Sequence, residues 1–295
     1  MNFFKRILLS LVLVIMIPFA SGCSSSEESA EDVLKKYYNS IENGQYKNAY
    51  ECLSDDVKKD LPYDIFTEYY DVVSQTAKFK GYAPGGPKEI ENVNEAGSVK
   101  YKKAVVVPVE EIFEQIESGE QKKIKLERML VSQDGKYRLV WENNMRRFLS
   151  DYYVGLANKA ISSDEPDFDE AKRQIDMAAQ KDEKNPAVYY YKAILSNQKK
   201  DYDGAFESIQ ECIEIQEKEL AKIDAAIAEG ASQPLDAKRK QTIESISYAY
   251  NIKGIIHGNR GKVAEALSSF KKALEYCGDN QYAKMNIDRI NVDTH

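Results

Sequence analysis

The chain has 295 residues, 43% of them hydrophobic and 30% charged, a globular composition long enough for two ordinary domains. Its 41 Lys and Arg against 48 Asp and Glu give a net charge of −7, the wrong sign for a general nucleic-acid binder. The only histidines are His257 and His295. They exclude a histidine-rich metal site, leave little room for a Ser-His-Asp triad, and tilt the reading from hydrolysis toward binding or assembly.

The chain opens MNFFKRILLSLVLVIMIPFASGC. Lys5 and Arg6 form a basic start, 7–19 an apolar stretch broken by Ser10 and Pro18, and Ala20, Ser21 and Gly22 lead into Cys23. The stretch has signal-peptide length and falls short of the ~20 residues a comfortable membrane span needs. The pattern resembles the bacterial lipoprotein signal, cleaved before a cysteine whose thiol is then lipidated. The resemblance implies a signal peptide over 1–22, a lipid anchor at Cys23, a tether over 23–30 and a place on the extracytoplasmic face of the cell membrane. An uncleaved anchor helix and a signal cut elsewhere are the competing readings. Cleavage removes Lys5 and Arg6 and no acid, so the lipid bilayer would be held by the acyl chains and not by a polybasic patch. Residues 24–29, SSSEES, suit a flexible tether. Beyond Cys23 the cysteines are Cys52, Cys212 and Cys277, with no C-x-x-C pair, which speaks against a disulfide framework or a zinc site. Cys212 and Cys277 are expected as small buried thiols on helices.

Residues 31–43 read as an amphipathic helix, with Val33, Leu34, Tyr37, Tyr38 and Ile41 at spacings of three and four. A second short helix is expected over 45–53, a capped turn from Ser54 to Pro62, and a third helix over 64–75. Gly81, Pro84, Gly85, Gly86 and Pro87 then break the helical run. Four strands follow, near 89–94, 98–109, 122–132 and 136–142. Glu95-Ala96-Gly97 and Asp134-Gly135 are the hairpin signals. Ile124, Leu126 and Leu130 alternate toward one face, as do Tyr137, Leu139 and Trp141, so each strand has a face to bury.

Helices followed by a strand meander is α+β order: helices packed on a curved antiparallel sheet. The opening DVLKKYYNSIENGQYKNAYECLS and the closing MLVSQDGKYRLVWEN resemble the nuclear transport factor two-like cone fold over 31–145, most of all its extracytoplasmic versions. The resemblance implies a pocket between helices and sheet, and some relatives are isomerases or dehydratases. Such enzymes need a base in an apolar cone, with a donor opposite. No histidine lies between 24 and 256, and Glu127 falls on the face opposite Ile124, Leu126 and Leu130. Arg128 interrupts that apolar face, either as a ligand-facing charge or as a solvent-facing or ion-paired one. The helix tyrosines either lend hydroxyls to the pocket or are core residues with wet tips.

From 147 the β-signals vanish and a period appears. Ala171 and Ala205, Ile175 and Ile209, and Ala178 and Cys212 stand 34 residues apart. Tyr189, Ala193, Ala205, Ile209 and Cys212 recur 61 residues later as Tyr250, Gly254, Ala266, Phe270 and Ala273. The first copy reads Tyr153, Ala157, Ala171, Ile175 and Ala178. This pattern resembles the tetratricopeptide repeat, a helix–turn–helix unit in which small residues let the paired helices approach and bulky ones fill the gap to the next pair. Lys192 and Lys253 stand where that family prefers an aliphatic residue. The resemblance implies an all-α solenoid over 147–295, with three repeats and a C-terminal capping helix over 279–291. The extra length between copies two and three predicts an extended helical hairpin over about 207–259, an arm projecting ~20 Å. Its stripe of Ile209, Ile213, Leu220, Ile223 and Ile227 either packs within the hairpin or serves a partner or a second copy. Lys238, Arg239 and Lys240 read as a solvated face. The connections at 143–150 and 230–234 are expected to be the least packed.

The repeat resemblance also implies a groove lined by the first helix of each pair. Carrying its positions over gives Val154, Asn158 and Ser162 from the first copy, Tyr190, Ile194 and Gln198 from the second, and Asn251, Ile255 and Asn259 from the third. Acidic C-terminal peptides need Lys or Arg there, so they are not the expected ligands. Asparagine can bond an extended peptide backbone as donor and acceptor, or simply be wet surface. His257 takes an aromatic packing position. The reading is a non-enzymatic, lipid-anchored interaction or assembly module of the cell envelope, with an envelope protein or peptide as partner and no cofactor or metal. A link to cell-wall processes rests on fold analogy. The alternative is a small-molecule binder or enzyme using the cone pocket.

Overall fold

The computed structural model describes residues 28–95, 98–140, 144–230 and 234–293. Residues 1–27, Cys23 and the expected signal segment among them, Ala96-Gly97, Trp141 and 231–233 lie outside the described residues. The first half runs α1 (Ala30–Glu42), α2 (Tyr46–Glu51), α3 (Asp55–Asp60), α4 (Tyr63–Thr76), β1 (Ala77–Pro84), β2 (Lys88–Glu95), β3 (Ser98–Gln115), β4 (Gln121–Gln133) and β5 (Lys136–Val140). A curved antiparallel sheet wraps the helices as a half-barrel.

Ser29 starts α1 with a capping box: its hydroxyl accepts from the Asp32 N–H at 3.1 Å, and the Asp32 carboxylate accepts from the Ser29 N–H at 3.2 Å. The helix then buries Val33, Leu34, Tyr37, Tyr38 and Ile41, the set its spacing predicts. These side chains meet Leu53 after α2, Leu61 at the end of α3 and Phe66 of α4, and Val107, Leu130 and Leu139 from the sheet. The turn at Asp134-Gly135 has positive φ at both residues, 50° and 75°, the two-residue hairpin geometry those residue types favour.

The sheet differs from the expectation in two places. Strand β1 is a fifth strand that the alternation did not announce. It pairs with the C-terminal part of the long β3, and β2 pairs with the N-terminal part. A register shift between Phe79 and Gly81, with Gly81 at φ 130°, breaks the period of two within β1. Ile124 does not reach the core; it is 49% exposed, on the part of β4 that outruns the helical layer.

The second half pairs α5 (Met145–Ile161) with α6 (Phe168–Lys181), α7 (Pro186–Gln198) with α8 (Tyr202–Ala228) and α9 (Pro234–Asn259) with α10 (Val263–Tyr276). Helix α11 (Gln281–Asp293) covers the last pair. Ala157, Ala171, Ala178, Ala193, Ala205, Ala266 and Ala273 are all fully buried at the crossings. Lys192 and Lys253 fit their unusual positions by laying their ammonium groups over aromatic rings, Lys192 over Tyr189 at 5.3 Å and Lys253 over Phe206 at 5.2 Å. Cys212 is buried in α8, whereas Cys277 is half-buried at the C-cap of α10 and not within a helix.

A serine–asparagine lock recurs between helix pairs. Asn185 donates to the Ser150 hydroxyl at 2.9 Å and caps α7 through the Ala187 N–H. Asn280 repeats this with Ser247 at 2.9 Å and the Ala283 N–H. At the middle junction the corresponding position is Ile246, fully buried, because there the arm makes the helix continuous. Lys238 and Arg239 are not merely solvated: they cross the arm to Glu219 at 2.8 Å and Asp224 at 2.5 Å. Ile213 and Ile223 of the stripe are buried.

Residues 145–150 are not a loose link. Met145 and Leu149 belong to the half-barrel core, while Tyr153, Val154 and Ala157 of the same helix belong to the first solenoid core. Glu68 of α4 ties the halves, accepting from the Tyr153 hydroxyl at 2.6 Å and from Lys181 at 2.5 Å.

Candidate functional site

The groove positions separate once their surroundings are seen. Val154 is a buried core residue of the first helix pair. Asn158 and Ser162 are exposed, with Ser162 Oγ 3.4 Å from Asn158 Oδ1. Tyr190 and Ile194 are half-buried on α7, and Gln198 is exposed at its end. Asn251 is 5% exposed, and its Oδ1 accepts from Asn286 Nδ2 of α11 at 3.0 Å. Ile255 packs on the Phe270 cluster. Asn259 donates to Asn197 Oδ1 at 3.0 Å, joining α9 to α7.

These contacts place α7, α9 and α11 side by side along one face. That face also carries three residues missed from the sequence: Tyr248, Tyr282 and Met285, which are 43%, 62% and 59% exposed. The rings of Tyr248 and Tyr282 meet edge-on at 6.2 Å. Burial, reinforced by its neighbour Tyr191, raises the pKa of the Tyr190 hydroxyl, with Tyr248 and Tyr282 also close enough to contribute. Tyr248 stands two residues ahead of the repeat position Tyr250, and Tyr282 two beyond the lock residue Asn280. That periodicity was the available signal. Tyr190, Ile194, Gln198, Tyr248, Asn251, Ile255, Asn259, Tyr282 and Met285 include no charge.

His257 is buried against the Phe206 ring, centroids 5.3 Å apart, and its Nδ1 has no hydrogen-bond partner among the described residues. Burial lowers its pKa, and Lys253 adds to the shift. It packs, as its repeat position implies.

A second feature lies where α5 meets the half-barrel. Tyr38, Tyr69 and Tyr70 of the helices, Phe79, Phe113, Glu111 and Arg128 of the sheet, and Asn144, Met145 and Phe148 at the start of α5 line a cavity of about 210 Å³. Arg128 is the ion-paired residue of the two readings weighed. Its Nη2 lies 2.5 Å from Glu111 Oε1, and its Nε donates to the Tyr38 hydroxyl at 3.0 Å. That hydroxyl donates in turn to Glu111 Oε1 at 2.7 Å. Burial works against the charge on Arg128, but Tyr38 and Glu111 outweigh it and the pKa is raised. Burial raises the pKa of Tyr38 too, with Arg128 opposing. The Tyr37 and Tyr70 hydroxyls share a hydrogen bond of 2.6 Å beside this cluster. Glu111 was missed: the strand expected over 98–109 stops short of it, whereas β3 runs on to Gln115 and makes it the next inward position after Val105, Val107 and Val109.

Among the described residues no group of three or more His, Cys, Asp or Glu side chains is placed to hold a metal ion. No described helix is long and apolar enough to cross a membrane. No family model matches the chain, and no curated protein matches it. Among solved structures, the N-terminal domain of stress-induced protein-1 from C. elegans is 17% identical, with 51% of this chain and 99% of that one covered and a TM-score of 0.34. MamA from Desulfovibrio magneticus RS-1 is 14% identical, with 49% and 85% covered and a TM-score of 0.22. At these scores neither adds to the fold derived above.

Proposed function

We propose that this protein is a lipid-anchored interaction module on the extracytoplasmic face of a bacterial cell membrane, and that it receives an envelope protein on the face shared by α7, α9 and α11. The observation that carries the reading is the exposed Tyr248–Tyr282 ring pair, beside the half-buried Tyr190, Ile194 and Ile255, on that face. Exposed aromatic rings supply apolar contact area at low entropic cost. Asn259, Gln198 and Asn158 at its edge offer donors and acceptors to a peptide backbone. The anchor half of the reading rests on the leader and Cys23. A role in cell-wall processes is the natural setting for such a module, by analogy of fold.

Two measurements test the halves separately. Cys23→Ala should abolish palmitate labelling and release the protein from membranes; unchanged labelling refutes the anchor. For the face, the full chain and a Tyr248→Ala/Tyr282→Ala variant are compared for proteins crosslinked in intact cells. Both tyrosines are exposed, so the variant keeps its fold. A partner lost in the variant supports the reading, and an unchanged crosslinking pattern refutes it.

A further inference from the structure

We propose that the cleft between the arm and the start of α5 is a binding site for a neutral oligosaccharide of about three sugar units. The argument is independent of the interaction face and of the cavity inside the half-barrel.

The cleft exists because the arm is long. Helices α8 and α9 run 27 and 26 residues, against 13 and 14 for α7 and α10. One wall of the cleft is the arm itself, with Gln216 of α8 and Gln241, Thr242 and Ser245 of α9. The other is the start of α5, with Asn144 and Phe148, and the passage from α6 to α7 at Asp182 and Pro186. The space between them is about 870 Å³. It holds on the order of thirty waters at ~30 Å³ each, the bulk of about three hexose rings.

Charge narrows the class of ligand. Three basic and three acidic side chains line the cleft, so its lining carries no net charge. Each of the six already has a partner. Arg147 donates to Asp182 at 2.6 Å and Lys238 pairs with Glu219 at 2.8 Å. Arg146 donates to the Asp60 carbonyl at 3.1 Å, and Asp151 accepts from Asn185 at 2.7 Å. An ion would find no net counter-charge to offset its lost hydration.

The uncharged groups are the uncommitted ones. Gln216 is 8% exposed, yet its amide makes no hydrogen bond to a described residue. A buried amide in that state costs stability, and this one lies on the wall of a roomy cleft. The side chains of Asn144, Gln241 and Ser245 likewise make no hydrogen bond to a described residue. A carboxamide holds a donor and an acceptor side by side, and a pair of neighbouring hydroxyls offers the matching acceptor and donor. The Phe148 ring is 40% exposed and is steadied edge-on by Tyr69 at 5.0 Å. It supplies an apolar surface for the C–H face of a pyranose. A peptide would also bring apolar side chains, for which the lining offers only Phe148 and Pro186.

The test uses the full chain in detergent, with cellotriose and tri-N-acetylchitotriose as probes, followed by saturation-transfer NMR titration. At least one should bind saturably with a dissociation constant in the millimolar range, as a handful of net hydrogen bonds supports. Gln216→Leu removes the amide and keeps the bulk. It should weaken binding about fivefold or more and leave the thermal midpoint unchanged or raised; a merely structural glutamine would move the midpoint and not the affinity. Gln241→Ala, at an exposed position, should weaken binding about threefold and keeps the test decisive if Gln216→Leu shifts the arm. Phe148→Ala should weaken it about fivefold by removing the stacking surface. The cationic glucosamine trimer and the anionic galacturonate trimer should each bind at least about fivefold more weakly than the neutral probe. Absence of saturable binding by both neutral trimers overturns the proposal. So does binding that both glutamine variants leave unchanged, or a charged trimer or a neutral tetrapeptide of glycine, serine and asparagine binding as tightly.

Discussion

Replacing Gly254 with alanine should invert the usual effect of that substitution. In an exposed helix interior alanine is favoured over glycine by about 1 kcal/mol. Gly254 instead faces the Phe270 ring: a Cβ added there would lie 2.6 Å from Cδ1 and 2.8 Å from Cζ, with Cε1 closer still. Phe270 is buried among Ala266, Ala273 and Ala283, so the ring has nowhere to go. Overpacking of this kind costs about 1–3 kcal/mol, and a methyl driven into a fixed ring belongs at the upper end. Subtracting the propensity gain leaves a net loss of about 2 kcal/mol. Gly155 is the control. It is exposed on α5 with no atom within 4 Å of an added Cβ, so Gly155→Ala should stabilise by about 0.5–1 kcal/mol. Urea unfolding followed by far-UV circular dichroism measures both. A Gly254→Ala protein as stable as the parent, or two variants that shift the same way, would refute the packing of α9 on α10. Adding Phe270→Leu to Gly254→Ala should recover part of the loss.

Arg128→Met leaves Glu111 buried without its counter-charge and should cost about 3–5 kcal/mol, while Arg128→Met/Glu111→Leu should recover most of it; equal losses in chemical denaturation would contradict a paired core carboxylate. Asn280→Ala removes the lock to Ser247 and the cap on α11, with an expected loss of about 1–3 kcal/mol and faster amide exchange confined to the last helix. Burial holds His257 below its ordinary 6.5, so the unfolded chain takes up that proton first. The contribution is complete above about pH 6.5 and is lost as the pH falls toward the depressed folded value. His257→Phe should flatten that part of the profile of urea midpoint against pH; an identical slope in both proteins would count against a neutral, buried imidazole.

How far each element was legible depended on where its information sits. The helix pairs could be read because the small residues at each crossing are spaced by the helix itself, and Ala171, Ala205 and Ala266 carry the same requirement in each copy. Asp134-Gly135 was legible for the same reason: a two-residue turn needs positive φ locally, whatever lies around it. Strand β1 was not, because the shift at Phe79 and Gly81 erases its period. Ile124 keeps perfect alternation and is still exposed, since the pattern says which face a residue takes and not how far the covering helices extend.

The site shows the same division. Tyr190, Asn251 and Asn259 were assigned to one face by repeat position, but helix α11 decided that Asn251 would be buried against Asn286. Arg128 was recognised as a charge on an apolar face. Its partners, Glu111 across the hairpin and Tyr38 on α1, came together only through strand register and helix docking. By itself the sequence determined the two architectures, the repeat register and the arm. These follow from backbone periodicities of two and 3.6 that each segment carries alone. Tertiary structure decided that α5 belongs to both cores, that a cavity lies beneath it, and which polar groups face that space. Those outcomes depend on distances between segments far apart in the chain, which no local period encodes.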